Sequence, residues 1–221
     1  MPGLYAIDRD AAGERRFFYW RGEAPVRQLF ELADVDALAK AMTGAELVFL
    51  SGVTLAVLGE GGRRRLLELL TAAKAAGAKV AFDPNYRARL WESPKAALEA
   101  SEAVIPLCRW VSVSAPDAEA MADARAAEVA SRWRTLGAEV IRREDDRSVH
   151  VHMGRGVVTV DAGKAVRRVV DTTGAGDSFN AAYLSARLAG EAPEAAVAAG
   201  RKLAEAVIRR RGAIIPREAM P

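Results

Sequence analysis

The chain has 221 residues, of which 51% are hydrophobic and 28% charged, and its formal net charge is +3. This is enough apolar material for one globular core, and no apolar run approaches the length of a transmembrane helix. The arginines lie among acidic residues without interleaved aromatic side chains, which argues against nucleic-acid binding. The single cysteine, Cys108, excludes an internal disulfide, and we expect it to be buried. These features predict a cytoplasmic protein that does not bind membranes.

Two short runs rich in aromatic residues predict a β-hairpin near the beginning of the chain. The runs are Leu4–Ile7 and Arg16–Trp20, and the polar segment between them contains Gly13. A hairpin alone buries little surface and needs a neighbour. Judged from these residues alone, the hairpin presents an aromatic edge that suits contact with another chain.

From Asp34 onward, predicted helices and strands alternate. The predicted helices span 34–41, 64–76, a segment opening at Ser93-Pro94, 124–136, a segment from Phe179 to Gly190, and 193–210. The predicted strands span 46–50, 79–82, 110–114, 139–142, 149–153 and 157–160. This alternation implies an α/β fold with a mostly parallel sheet and helices on both faces, closed by an antiparallel pair at one edge. Ligands bind such sheets beyond the carboxyl ends of the strands.

The two histidines lie on the first strand of that antiparallel pair. We interpret His150 and His152 as residues of an exposed edge strand, because no third convergent ligand for a metal ion is evident. No protein-bound metal site is therefore predicted.

The most informative stretch is Asp171-Thr-Thr-Gly-Ala-Gly-Asp-Ser-Phe-Asn180. It follows the β-branched pair Val169-Val170, and we interpret it as a strand, a glycine turn and a helix start, which together form an anion site. Asp177 lies where negative charge would build up and suits a general base. The alternative is that Asp171 and Asp177 only cap the turn and the helix. No Gly-x-x-x-x-Gly-Lys-Ser/Thr motif exists, which excludes a P-loop.

Residues Asp171–Asn180 closely resemble the C-terminal signature of the ribokinase-like (PfkB) sugar kinases. Further stretches resemble the 2-keto-3-deoxygluconate kinases within that family. They are Gly3-Leu-Tyr5, Phe17-Phe-Tyr-Trp-Arg21, Ser51-Gly-Val-Thr54, Phe82-Asp-Pro-Asn-Tyr-Arg-Ala-Arg-Leu-Trp91 and Arg211-Gly-Ala-Ile-Ile-Pro216. The resemblance implies a ribokinase-like αβα core over residues 26–221 and a partial β lid over residues 1–25, with the N-terminal part of the family fold absent. It also implies pairing of two subunits through the lid.

The implied activity is transfer of phosphate from ATP, carried with Mg²⁺, to the terminal hydroxyl of 2-keto-3-deoxygluconate. The product is 2-keto-3-deoxy-6-phosphogluconate. Two alternatives remain open. One is another sugar kinase of the fructokinase or ribokinase type. The other is a truncated homologue that binds a ligand or partner without catalysis.

The resemblance also implies roles for individual residues. Asp177 is the catalytic base and contacts the sugar, and Asp171 lies near a monovalent cation such as K⁺. The residues implied at the phosphates are Gly174, Ala175, Gly176, Asn85 and Arg87. Those implied at the sugar acid, besides Asp177, are Tyr5, Tyr19, Arg21 and Arg87. The arginine forks favour a carboxylate over a neutral sugar, whereas the alternatives are a surface ion pair for Arg87 and a packed ring for Tyr19.

Two segments depart from the family pattern. Residues 142–146, Arg-Arg-Glu-Asp-Asp, stand where relatives carry a Lys-x-Gly turn beside the nucleotide, so we expect weaker binding of adenine nucleotides there. Residues Asp117–Glu119 match the family's magnesium and phosphate motif only loosely.

Overall fold

The computed structural model describes residues 3–9, 15–20, 22, 24–32, 34–164 and 166–221. Within it, the chain forms two compact units. The first unit contains Met1–Val111 and Ala120–Ala122, and the second contains Ser112–Glu119 and Asp123–Pro221. The predicted division into residues 1–25 and 26–221 stays a prediction.

The first unit contains the hairpin and the parallel strands. Its strands are β1 (Leu4–Arg9), β2 (Arg15–Trp20), β3 (Leu47–Ser51), β4 (Lys79–Asp83) and the first residues of β5 (Trp110–Ser114). Its helices are α1 (Leu29–Leu32), α2 (Val35–Thr43), α3 (Gly52–Ala75) and α4 (Pro94–Val104), with 3₁₀ turns at Pro25–Gln28, Ala88–Leu90 and Ile105–Leu107. Strands β1 and β2 pair antiparallel, as predicted, and β4 pairs parallel with both β3 and β5.

Local capping sets several of these helix starts. The side chain of Asp34 accepts the N–H of Ala37 at the start of α2. Ser93 accepts the N–H of Ala96 at the start of α4, where Pro94 is the first helical residue. These contacts satisfy N–H groups that a helix leaves unpaired at its N-terminus, and they confirm both predicted starts.

The predicted start of α3 at residue 64 is wrong. The helix begins at Gly52, directly after β3, because the hydroxyl of Ser51 accepts the N–H of Val53. Gly59 interrupts the helical backbone with a φ of 64°. Gly61 and Gly62 follow it, and because glycine is a weak helix former, the segment does not look helical in sequence.

The second unit contains the antiparallel strands and the last helices. Its elements after β5 are α5 (Ala115–Ala122, shared with the first unit), α6 (Ala126–Thr135), β6 (Glu139–Arg143), β7 (Val149–Met153), β8 (Gly156–Val160), α7 (Ala175–Leu188) and α8 (Pro193–Ile208), with a 3₁₀ turn at Arg217–Ala219. Strand β7 pairs antiparallel with β6 and with β8. The six strands β3 to β8 follow one another in a mixed sheet, which confirms the predicted α/β fold.

The second unit differs from the expectations in two places. The predicted helix over 124–136 is observed as α6, but the helix α5 before it was not predicted; Asp123 ends α5 with a left-handed φ of 48°. Val169 and Val170 form no strand. Instead, the N–H groups of Val170 and Asp171 both donate to the carbonyl of Ile208, at 2.8 and 3.1 Å.

The expectation of an exposed edge strand at the histidines is also wrong. Strand β7 lies between β6 and β8, so β8 forms the edge. Val149 and Val151 on one side of β7 and His152 on the other are all buried, with His152 only 4% exposed. Among the described residues, no helix is both long and apolar enough to cross a membrane.

Candidate active site

The glycine turn before α7 leaves two backbone donors available. Gly174 is the N-cap of α7, with a left-handed φ of 77°, and its carbonyl accepts the N–H of Ser178. The N–H of Ala175 donates to the carbonyl of Thr172 at 3.2 Å. Within the described part of the chain, the N–H groups of Gly176 and Asp177 make no hydrogen bond. Because they lie at the positive end of a helix, they are suited to an anion.

The carboxylate of Asp171 organises the same turn. Its Oδ1 accepts the N–H of Thr173 at 2.9 Å and the hydroxyl of Thr173 at 2.7 Å. Its Oδ2 accepts the N–H of Gly212 at 3.1 Å. Asp171 therefore fixes the turn from both sides of its carboxylate, much as the capping interpretation proposes.

Asp177 differs from Asp171 in its surroundings. It lies in the first turn of α7 and is exposed. The N-cap residue of α7 is Gly174, and Asp177 lies three residues inside the helix rather than at the N-cap position. An accessible carboxylate beside two available N–H groups is the arrangement that a general base at an anion site requires.

A cavity of about 280 Å³ adjoins the turn within the second unit. Ala175, Gly176 and Phe179 of α7 line it together with Arg143 at the end of β6. Much of the remaining wall is apolar, formed by side chains such as Val149, Val166, Ala204 and Ile208. A cavity with apolar walls beside two available N–H groups suits a ligand that has an apolar part and a negatively charged tail.

The segment that departs from the family pattern forms part of this cavity wall. Arg142 pairs with Glu144, and Glu144 lines the cavity. Burial lowers the pKa of the Arg142 guanidinium, and the negative charge of Glu119 partly opposes that shift. The neighbouring Arg143 contacts α7: its Cζ lies 5.8 Å from the centre of the Phe179 ring. No pattern along the sequence indicates this contact, since it joins residues far apart in the chain.

In the first unit, a second set of predicted residues follows β4. Asp83 ends the strand and is 4% exposed, and its Oδ1 accepts the N–H of Asn85 at 2.8 Å. Asn85 has a positive φ of 39°, which this hydrogen bond supports. Arg87 is exposed, and its Nη1 donates to the carbonyl of Tyr86. Ser51 pairs with Asp83 across the two parallel strands, so both lie at carboxyl ends.

The hairpin carries the remaining predicted residues. Tyr5 and Tyr19 are partners across β1 and β2. Arg21 lies outside the described residues. The predicted sugar contacts of all three stay predictions.

Two expectations about other reactive groups can be compared with the structure. Cys108 is 5% exposed, as predicted, and burial raises the pKa of its thiol to about 12, so it is no nucleophile at neutral pH. Among the described residues, no three His, Cys, Asp or Glu side chains group closely enough to hold a metal ion.

Comparison with known proteins identifies the family. The model of the pfkB family of carbohydrate kinases matches residues 1–220. The 2-dehydro-3-deoxygluconokinase of Dickeya dadantii is 41% identical over 226 residues, which cover 100% of this chain and 73% of that protein. The protein of the same name from Escherichia coli K12 is 39% identical over 225 residues, with the same coverage.

A solved structure shows the same fold. A putative ribokinase II from Escherichia coli, in complex with ATP and Mg²⁺, matches with a TM-score of 0.77 at 20% identity. The match covers 95% of this chain and 65% of that one. The glycine turn, the mixed sheet and these matches agree, and the chain belongs to the pfkB family of carbohydrate kinases.

Proposed function

We propose that this chain is a kinase of 2-keto-3-deoxygluconate, which is also called 2-dehydro-3-deoxygluconate. It transfers the γ-phosphate of ATP to the terminal hydroxyl and forms 2-keto-3-deoxy-6-phosphogluconate. Relatives that carry this name are 39% and 41% identical and align with the whole chain. Within the family, they favour a sugar acid over a neutral sugar as the substrate.

One observation carries the chemistry: the exposed carboxylate of Asp177 lies in the same helical turn as the two available N–H groups. Asp177 accepts the proton of the substrate hydroxyl as the hydroxyl oxygen attacks the γ-phosphorus. The bond from the γ-phosphorus to the bridging oxygen breaks, and ADP leaves. The N–H groups of Gly176 and Asp177 stabilise the charge that develops on the phosphoryl oxygens.

Two cations, Mg²⁺ and K⁺, are part of the proposed reaction. Mg²⁺ enters with ATP, held mainly by phosphates and water, and it neutralises phosphate charge when bound. K⁺ is proposed near Asp171, whose carboxylate already accepts three hydrogen bonds from Thr173 and Gly212. Rates measured in KCl, compared with the same concentration of tetramethylammonium chloride, test the K⁺ site.

The substrate carboxylate is proposed to bind the guanidinium groups of Arg21 and Arg87, with Tyr5 and Tyr19 beside the sugar. Asn85 and Arg87 are proposed to lie near the phosphates. Planar guanidinium groups bind carboxylates through two parallel hydrogen bonds, and a neutral sugar offers no such partner. The Arg87→Ala variant should therefore raise KM for the sugar acid more than for fructose.

A coupled assay of ADP release tests the function. The chain is supplied with ATP, Mg²⁺ and either 2-keto-3-deoxygluconate, fructose or ribose. We expect turnover with the sugar acid, and a loss of roughly 10²- to 10⁴-fold in the Asp177→Asn variant. Faster turnover of fructose or ribose than of 2-keto-3-deoxygluconate would show that the neutral sugar is the substrate. If the folded protein turned over none of the three, it would be a non-catalytic homologue.

The hairpin is proposed to pair two subunits in the cytoplasm. Its exposed apolar side chains include Leu4 and Phe18, which are 60% and 47% exposed. If these side chains form the contact, Phe18→Ser should shift the sedimentation coefficient toward that of a monomer. An unchanged value would remove the hairpin from the interface.

A further inference from the structure

Arg143 lies outside the family signature over residues 171–180. Arg143 is the last residue of β6, and its side chain reaches the first turn of α7. If Gly176 had a Cβ, that atom would lie only 2.9 Å from Nη1 of Arg143. The missing side chain at Gly176 therefore leaves the room that the guanidinium occupies.

Phe179 holds the guanidinium from the other side. The Cζ of Arg143 is 5.8 Å from the centre of the Phe179 ring, within the range of a cation–π contact. Phe179 is itself 5% exposed and stacks on Tyr183, so the ring is fixed. The position of the guanidinium is thus set by two residues of the same helix that carries the glycine turn.

The cavity contains three arginines, but their contacts differ. Arg147 donates from Nη2 to the carbonyl of Gly163, and Arg201 donates from Nη2 to the carbonyls of Arg147 and Val160. Those two guanidinium groups therefore bind the backbone of the cavity wall. The guanidinium of Arg143 lies against the turn whose N–H groups are available to an anion.

We infer that Arg143 is a phosphate-binding residue: its guanidinium contacts the same phosphate tail that the N–H groups of Gly176 and Asp177 bind. This rests on the proposed function, because it assumes that the ligand of the turn is the phosphate tail of ATP. A guanidinium binds phosphate oxygens through charge-assisted hydrogen bonds, and a helix N-terminus adds to the attraction. Glu144 lines the same cavity and pairs with Arg142.

Calorimetric titration of the whole chain tests this inference with three probes: adenosine, ADP and a non-hydrolysable ATP analogue. Arg143→Leu should weaken binding of ADP and of the analogue by roughly 10- to 100-fold. Binding of adenosine should change by less than about twofold, because adenosine carries no phosphate. Arg143→Lys should restore part of the loss, since lysine keeps the charge without the fork.

Arg155→Leu is the matched control. Arg155 is exposed in the turn between β7 and β8 and does not line the cavity, so this variant removes the same charge elsewhere. It should bind all three probes like the original chain. In the kinase assay, Arg143→Leu should raise KM for ATP and leave KM for the sugar unchanged.

Two results would overturn the inference while leaving the proposed function intact. One is unchanged binding of ADP and of the ATP analogue in Arg143→Leu. The other is an equal loss for adenosine, which would mean that Arg143 only shapes the cavity. If Arg143→Leu does not fold, Arg143→Gln is judged by the same comparison. Failure of the original chain to bind any nucleotide would overturn both proposals.

Discussion

The carboxylate of Asp171 joins two stretches of the chain that lie 41 residues apart, because its Oδ2 accepts the N–H of Gly212 at 3.1 Å. Its Oδ1 accepts both donors of Thr173, so one side chain fixes the glycine turn before α7 to the segment after α8. The turn is thus held in shape before any ligand binds, which is what an anion site needs for pre-organised charge stabilisation.

Asp171→Ala should therefore lower both stability and activity. It leaves the donors of Thr173 and Gly212 without their carboxylate, and we expect the free energy of unfolding to fall by roughly 1–3 kcal/mol. Asp171→Asn has one amide oxygen and one NH₂ group in place of the two carboxylate oxygens. The single oxygen can accept from Thr173 or from Gly212 but not from both, so this variant should recover only part of the loss. Urea denaturation with the ADP-release assay measures both effects. Full activity in Asp171→Ala would show that the turn holds its shape alone.

Gly174→Ala tests how tightly the turn is packed. Gly174 has a φ of 77°, and an added Cβ would lie 2.8 Å from the Cβ of Ala213. Gly163→Ala is the matched control, because Gly163 has a φ of 67° and nothing within 4 Å of an added Cβ. Both variants carry a backbone cost of about 1 kcal/mol.

The clash at residue 174 should add roughly 1–3 kcal/mol to that cost, measured by urea denaturation. Only Gly174→Ala should also lower kcat, because it displaces the glycine turn at which we propose that the phosphates bind. Equal destabilisation by the two variants would mean that Ala213 moves aside freely.

The sequence predicted those parts of the fold that short-range contacts determine. Asp34 and Ser93 cap their helices through residues three positions away, so the helix starts are visible locally. The start of α3 was missed although Ser51 caps it locally, because Gly59, Gly61 and Gly62 lower the helix propensity of the segment that follows and Gly59 itself leaves the helical conformation.

In the candidate site, too, the sequence predicted only residues that are close together along the chain. Asp177 and the glycines of the turn are contiguous in sequence, and a motif reveals them. Arg143 meets Gly176 and Phe179 only after β6 and α7 pack together, so no pattern along the chain indicates it. His152 is likewise buried because both faces of β7 are covered in the folded protein, which no pattern along the chain indicates.

Gly52→Ala should disturb the loop after β4. A Cβ at residue 52 would lie 2.0 Å from the carbonyl oxygen of Pro84, a backbone atom that cannot rotate away. We expect a loss of roughly 3 kcal/mol in unfolding free energy, and a higher KM for the sugar acid as Asn85 and Arg87 shift. Gly61→Ala, in the same helix with nothing within 4 Å of an added Cβ, should stabilise by up to about 1 kcal/mol. A Gly52→Ala variant as stable as the original would show that the backbone at Pro84 moves to accommodate the added Cβ.

A buried ion pair contributes to the stability of the second unit. Arg187 donates from Nε and Nη2 to the carboxylate of Glu139, at 3.0 and 2.7 Å, and the hydroxyl of Tyr183 donates to it at 2.7 Å. The Glu139 side chain is 1% exposed. The pair raises the pKa of the Arg187 guanidinium, chiefly through the hydrogen bond to Glu139.

Glu139→Ala should destabilise by roughly 3–5 kcal/mol, because it leaves a buried guanidinium without its partner. Tyr183→Phe should cost about 1–2 kcal/mol. Glu128→Ala breaks an exposed pair with Arg125 and should cost less than about 1 kcal/mol. Chemical denaturation measures all three variants, and a cost for Glu139→Ala no larger than that for Glu128→Ala would contradict the assigned role.

Stability should fall in mild acid because of His152. Burial, and then the positive charges of Arg142, His150 and Arg134, lower the pKa of His152 from 6.5 to about 4. The unfolded chain therefore binds this proton at a higher pH than the folded chain does. The contribution to stability is complete above pH 6.5 and is lost as the pH falls toward 4.

At pH 5, the original chain should have lost roughly 2 kcal/mol of unfolding free energy through this group, relative to pH 8. The His152→Leu variant fills this buried position with an apolar side chain that cannot take up a proton. The difference in unfolding free energy between the original chain and the variant should therefore change by roughly 2 kcal/mol between pH 8 and pH 5. Urea denaturation at pH 5, 6, 7 and 8 measures it. Parallel pH curves for the two proteins would show that His152 takes up its proton equally well in the folded chain.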